Sequence, residues 1–384
     1  MKCCAFPTSM KYLGISYKRK FLFGSLLLLI ACGTDNNARQ GIAYNPDNKN
    51  FVSAPEDLFS FLGVIPLQGP DDVIIDSGSD LIYDEGRFYV VDASRRKRVD
   101  IFDTDGRYTG SVASAGRAGN EYIGIDNVQV TDGTIAVYSY HNKAIYHFNV
   151  DGSFIEKEQL EYNPLSLLKD QDGYWGFSGY TAELPERVVK MDAAGKIVGK
   201  YLPSEMPIIA LEERAPVFTG YNRGVLVREA FRNEIFYVGD DGQEEVFLKF
   251  DFGKYNVPKE YFKNSDPYTA AEKLMESDFV MMNRFLINEN HKVLSVDFQL
   301  GSREGKIISS LGVESNGKWR WLKSEKEGTL SMFFSSTRQM TSDSDVVLLV
   351  DGERVREFAA GYPELVGEFD DTTDNPCIVL CRLK

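Results

Sequence analysis

Four glycines constrain this chain more than any other feature: Gly106, Gly152, Gly195 and Gly242 follow one another at intervals of 46, 43 and 47 residues. Each closes the same unit. A Gly-containing turn leads into a strand, a short polar loop, a second strand rich in aromatics, and an Asp-Gly-type turn. The first copy runs Asp84-Glu85-Gly86-Arg87-Phe88-Tyr89-Val90-Val91-Asp92, then Arg98-Val99-Asp100-Ile101-Phe102, then Asp105-Gly106. The second begins at Asp132-Gly133 and ends at Asp151-Gly152, the third runs from Asp172-Gly173 to Gly195, and the fourth from Arg223-Gly224 to Asp241-Gly242. This period is the length of a four-stranded propeller blade. One such unit cannot cover its own faces, whereas a closed ring of units covers all of them and leaves only short edges.

Composition agrees, because 20 Tyr, 25 Phe and 33 Gly against 14 Pro suit many strands joined by tight turns. Strand signals return at Val293–Phe298, Lys306–Ile308, Trp319–Trp321, Val346–Val350 and Cys377–Leu380, enough for about two further blades. Phe61–Ile75 supplies material for closing the ring. The expectation is an all-β, six-bladed β-propeller over residues 61–384, with seven blades as the alternative count. One insertion is expected at residues 258–290, where Asp266 reads as an N-cap, Pro267 as first turn and Tyr268–Glu276 as a short helix.

The first residues read as an address. Lys18, Arg19 and Lys20 precede an apolar run from Phe21 to Ala31, interrupted only by Gly24 and Ser25. That run is too short to span a bilayer core, which takes roughly 20 helical residues. It reads as a secretory signal, residues 1–31. Ala31 immediately before Cys32 resembles the bacterial lipobox, in which the signal is cleaved and the cysteine carries lipid; that resemblance makes Cys32 the lipidated N-terminus. Met10 is an equally serviceable start, in which case Cys3 and Cys4 are never made. Residues 32–60 read as a polar tether and linker. The whole chain carries −14, and all five charges in the signal are cations, so the body is more acidic still. Acyl chains rather than charge would hold it to a membrane, and nucleic acid is excluded as a partner.

The chain resembles the six-bladed β-propeller lipoproteins of Bacteroidota, relatives in shape of NHL-type propellers. The residues that carry the likeness are Ile65-Pro66-Leu67, the blade from Gly86 to Gly106, the run Gly116-Arg117-Ala118-Gly119-Asn120-Glu121-Tyr122, and the ending from Asp374 to Lys384. That family's third run is more glycine-rich, and Ala118 and Asn120 depart from it while the Arg, Glu and Tyr remain. The resemblance implies fold and envelope location rather than a reaction.

Candidate binding residues fall in two places. The basic run Arg95-Arg96-Lys97-Arg98 could grip a sulfated or carboxylated glycan, a phosphate or an acidic surface, and Arg117, Glu121 and Tyr122 could line a ligand mouth; the bland readings are a solvated hairpin loop and an inter-blade turn. His141, His147 and His291 show no metal spacing, and Asp103-x-Asp105-Gly106 lacks the rest of a calcium loop. Cys377 and Cys381, four apart in a strand, lie about 13 Å apart, too far for a disulfide. Trp175, Tyr180, Tyr221, Trp319 and Trp321 could stack on sugars or simply pack between blades. No nucleophile elbow, phosphate loop or dinucleotide fingerprint is present, so no catalytic residue, metal or cofactor is assigned.

The expected function is therefore a lipid-anchored envelope module that binds a glycan, a peptide or another envelope protein. The alternative is a glycan-active lyase or hydrolase using carboxylates in the propeller channel. Asp35 is the single acid in the five residues after Cys32, which favours a periplasm-facing location over the cell surface.

Overall fold

A computed structural model describes residues 41–48, 51–52, 54–70, 73–179, 184–203, 217–229, 231–258, 261, 273, 276–298, 307–325, 337–361, 363 and 375–384. Strands β1 (Ile42–Ala43) and β2 (Phe59–Pro66) precede the repeats. Blade 1 is β3 (Asp80–Asp84), β4 (Arg87–Asp92), β5 (Arg98–Asp103) and β6 (Tyr108–Val112). Blade 2 is β7 (Asn127–Thr131), β8 (Thr134–Ser139), β9 (Ala144–Asn149) and β10 (Phe154–Gln159). Blade 3 is β11 (Ser166–Asp170), β12 (Gly173–Phe177), β13 (Glu186–Met191) and β14 (Ile197–Pro203). Blade 4 is β15 (Phe218–Tyr221), β16 (Gly224–Arg228), β17 (Glu234–Gly239) and β18 (Glu244–Asp251). Blade 5 is β19 (Val280–Ile287), β20 (His291–Phe298), β21 (Ile308–Ser315) and β22 (Lys318–Glu325). Blade 6 is β23 (Thr337–Met340), β24 (Asp345–Val350) and β25 (Cys377–Leu383), completed by β2 from the other end of the chain. The fold is a six-bladed, all-β propeller, as the repeat predicts.

The spaced glycines owe their period to one turn, made four times between the third and fourth strands of blades 1–4. In each, the N–H of the residue opening the turn bonds the carbonyl four residues on, at 2.9–3.0 Å: Asp103 to Arg107, Asn149 to Ser153, Asp192 to Lys196 and Gly239 to Gln243. The glycine N–H bonds back to that opening residue, and its φ lies between 71° and 84°. This is a three-residue hairpin with a glycine bulge, and the ladder register slips one pair beyond it in blades 1–3 and farther along, between Ile235 and Phe236, in blade 4. Asp103 Oδ1 also accepts the N–H groups of Asp105 and Arg107 at 3.0 and 2.9 Å, which settles the calcium-like motif as a turn. A second constraint acts on the same residue. A Cβ at Gly106 would stand 2.3 Å from the Pro66 carbonyl oxygen, and one at Gly152 2.4 Å from that of Ser111. Each turn thus seats against the outer strand of the blade before it.

Among the described residues, the buried apolar side chains sort into six clusters, each shared by two successive blades. Tyr89, Val99 and Ile101 of blade 1 meet Ile135, Tyr146 and Phe148 of blade 2, and Val347, Leu349 and Ile378 of blade 6 meet Leu81, Phe88 and Val90 of blade 1. Trp175 and Trp321 are 1% and 4% exposed within such seams, so these two candidate platforms pack between blades. Tyr221 and Trp319 border the seam of blades 4 and 5, and Tyr180 lies outside the described residues.

Around the channel, side chains of one inner strand bond the backbone of the next. Gln129 of β7 donates to Leu167 O and accepts Lys169 N–H, both at 3.0 Å. Gln339 of β23 brackets Tyr83 of β3 in the same way, at 2.6 and 3.1 Å. In both cases a side-chain amide stands in for a peptide group of a neighbouring strand. Between blades 2 and 3, Glu158 receives the Tyr174 hydroxyl at 2.5 Å and lies 3.4 Å from His147 Nε2.

Two expectations need correction. Residues 41–60 are not a free linker. β1 pairs parallel with β18 of blade 4, Val52 bridges Leu322 of blade 5 and β2 completes blade 6, so this strap laces three outer edges in succession. Tyr44 anchors it, stacking on Trp321 at 4.1 Å and 10° with its hydroxyl 2.8 Å from Ser310 Oγ. Ile42, Tyr44, Val52, Leu58 and Phe59 are apolar residues scattered through an otherwise polar stretch, and they pack it onto the ring. The propeller therefore begins well before residue 61. Within 258–290, Val280–Ile287 is the inner strand of blade 5, while Asp266, Pro267 and most of the proposed helix lie outside the described residues. Lys273, described within that stretch, is helical, and a further α-helix, α1 (Gly352–Gly361), lies between β24 and β25 with Val355 and Phe358 buried.

Replacing Gly152 by Ala forces both a strained φ and a contact with Ser111 O, and should lower unfolding stability by about 1–3 kcal/mol in urea titrations; the same change at Gly133, which has open space around it, should cost less. Burial would raise the Glu158 carboxyl, but the bonds from His147 and Tyr174 outweigh it and hold its pKa below the ordinary 4.5. Its stabilising contribution is therefore complete above pH 4.5 and fades as pH falls through the lowered value. Urea midpoints of the native chain and Glu158→Gln should differ at pH 6 and converge on acidification.

Candidate functional site

Inner strands all run the same way along the channel, so the connections leading into them and the loops between second and third strands share one face of the ring. There the structure brings the two predicted groups together. Tyr122, in the β6–β7 connection, gives its hydroxyl to Lys97 O of the β4–β5 loop at 3.0 Å, and Lys97 Nζ bonds Ile123 O at 2.9 Å. Tyr122 is fully buried with its ring against the edges of Tyr146 and Phe148, and burial pushes its hydroxyl up to about 12. It is a post under the loops rather than a surface contact.

The basic run divides in the same manner. Arg96 Nε lies 3.0 Å from Asp92 Oδ2 and its Nη2 2.8 Å from Asp100 Oδ2, while Arg98 Nη2 lies 2.5 Å from Asp100 Oδ1 and donates to the Tyr108 hydroxyl at 3.1 Å. Asp92 and Asp100 are 4% and 0% exposed. Burial pushes the Asp100 carboxyl up against the pull of Arg98 and Arg96. For Asp92, burial is outweighed by bonds from the Arg95 and Arg96 backbone and the Arg96 guanidinium, and its carboxyl is held low. Arg96 and Arg98 are thus counter-ions to two buried carboxylates, not a free cationic patch. The signal was in the sequence: an Asp stands four residues before Arg96 and another four residues after it.

What remains open to solvent is specific. Arg95 is 76% exposed at its side chain and 3.3 Å from Asp76. Arg117 is exposed at the tip of the connection, whose shape is set by Glu121: its Oε2 accepts the Ala118 N–H at 2.8 Å, and a Cβ on Gly116 would collide with that carboxylate. Two exposed aliphatics flank the arginines, Ile74 at 68% and Ile123 at 41%. Reading for charge and aromatics passed these over, since nothing in the sequence marks an isoleucine as unburied.

The remaining candidates resolve into structure. Cys377 and Cys381 are free and buried in β25, and burial pushes the Cys377 thiol up to about 12 and the Cys381 thiol up as well. His147 faces Glu158, His291 Nδ1 lies 2.9 Å from Ser344 Oγ with burial lowering its pKa, and His141 is exposed in the β8–β9 loop. Among the described residues no group of three or more His, Cys, Asp or Glu is placed to hold a metal, and no helix is long and apolar enough to cross a membrane. Cys32 and the signal segment lie outside the described residues.

Asp100→Asn leaves two guanidiniums facing a neutral amide at the base of this site. Breaking a buried pair in this way should cost on the order of 3 kcal/mol in chemical unfolding, whereas Arg95→Gln, at an exposed pair, should cost under about 1 kcal/mol.

Among solved structures, a Bacteroides fragilis protein described as exported superposes with a TM-score of 0.69 at 16% identity, over 90% of this chain and 99% of its own. A member of the DUF4221 family from Bacteroides vulgatus gives 0.56 at 12% identity, over 85% and 97%. These likenesses establish the propeller fold. Comparison with curated proteins finds no match. The sequence profile of DUF4934, a domain of unknown function, matches residues 47–382, starting inside the strap rather than at the first repeat, and the chain belongs to that family.

Proposed function

We propose that this protein is a lipid-anchored, exported propeller of the Bacteroidota lipoprotein type, acting as a binding or scaffolding module of the cell envelope, with Cys32 as the lipidated residue. The observation that carries the binding role is the contrast within the candidate site. Arg95, Arg117, Ile74 and Ile123 face solvent, while Asp92, Asp100, Arg96, Arg98 and Tyr122 beneath them are tied to one another or to backbone. A surface presented on so fixed a base loses little conformational freedom when a partner docks. The strap supports the same reading. It joins the ring at blade 4, three of six steps from blade 1, and does not cover the blade 1–2 loops.

For the glycan-active alternative, carboxylates near the channel would have to give or take protons. Asp80 lies 3.3 and 4.0 Å from Arg284 and Arg338, and Asp170 is ion-paired with Lys190. Such pairing suits structural carboxylates better than a general acid.

Expression of the full chain in a bacterial host fed radiolabelled palmitate tests the anchor. The native protein should carry label, fractionate with membranes and resist protease added to intact cells. Cys32→Ser should lose the label and appear in the soluble fraction. Label on the variant, or a native chain that is soluble and unlabelled, contradicts the anchor.

A further inference from the structure

We infer that the blade 1–2 face docks an acidic protein segment bearing aliphatic side chains, the exposed strip from Ile74 through Arg95, Arg117 and Ile123 being the surface that receives it. The inference rests on the binding-module reading and names its site and partner class. Continuity of the strip follows from its bonds. Arg95 pairs with Asp76, two residues from Ile74; Lys97 bonds the Ile123 carbonyl; and Ile123 N–H bonds Asn142 Oδ1 of the next blade's loop at 2.8 Å. Leu165, 39% exposed in the connection to β11, extends the series, so three successive inter-blade connections each present one aliphatic residue to solvent.

Charge selects the partner. The chain carries −14 overall, yet the loops of this one face carry two exposed guanidiniums, Arg95 and Arg117, along with the aliphatics. Arg117 is in no ion pair among the described residues, and Arg95 meets Asp76 with only part of its donor fork. Arginine forks bind carboxylates in two-point fashion, and an acidic partner that the rest of the surface repels is steered to this place. Side-chain type then separates a protein segment from an acidic glycan. Sugar rings favour exposed aromatic faces, whereas the groups here are isoleucine and leucine, which match the aliphatic side chains of a peptide. The strip is also held without help from a ligand, through the Tyr122 post and the Asp92–Arg96–Asp100–Arg98 network.

The test uses the purified full chain in detergent and a fluorescein-labelled peptide of three Glu-Leu-Asp-Ala repeats, read by anisotropy, with polyglutamate and heparin as competitors. Binding is expected to be saturable and salt-sensitive. Arg95→Glu with Arg117→Glu should weaken it at least about tenfold and Ile74→Ser with Ile123→Ser severalfold; Arg223→Glu, in the exposed β15–β16 turn on the opposite face, should leave it unchanged. Thermal unfolding at the native temperature verifies that the variants are folded. Absence of peptide binding, binding indifferent to the paired charge reversal, polyglutamate competing as strongly as the Leu-containing peptide, or heparin binding more tightly at the same residues each overturns the inference. Should an envelope protein still co-purify with the doubly reversed chain, the binding-module reading stands and this surface alone is refuted.

Discussion

No blade of this propeller owns a core. Every apolar cluster bridges two neighbours, so a blade removed from the ring would expose both of its faces, and the burial that drives folding is complete only when the sixth seam closes. Blade 6 therefore carries a demand the others do not, because the two ends of the chain meet inside it. It is met by β2 pairing antiparallel with β25 from Phe59 opposite Leu383 to Pro66 opposite Cys377, which puts residues from both ends of the sequence in one sheet. On the channel side, Gln339 reaching Tyr83 and Arg284 reaching Asp80 join blades 5 and 6 to blade 1.

The strap extends this logic outward. Outer strands expose unpaired backbone, an invitation to unwanted pairing, and the segment before β2 covers two of them on its way to blade 6. Tyr44 stacked on Trp321 and β1 laid along β18 make the first contacts. The strap is thereby built into the edges of blades 4 and 5 before it reaches blade 6.

At that surface, rigidity and exposure come from different residues. Two buried carboxylates would be costly alone, and each is matched by guanidinium from the loop above it. The loop gains a fixed shape, Tyr122 ties it to the neighbouring connection, and the groups left over are the ones free to meet a partner. Arg95 and Arg96 are adjacent in sequence yet divide between these roles, since only Arg96 lies within reach of both Asp92 and Asp100.

The sequence by itself determined the repeat, because a positive-φ glycine at a fixed point of the outer hairpin of blades 1–4 is a local requirement that leaves a local mark. Strand alternation and the six-unit length followed from it. Tertiary structure decided everything that depends on which residues meet across seams. Nothing local shows that the carboxylates spaced around Arg96 are buried, that Tyr122 supports a loop 25 residues away, that a polar-looking leader contains a strap, or that Ile74 and Ile123 stay outside. Those outcomes are set by burial and long-range pairing, which come into existence only when the ring has closed.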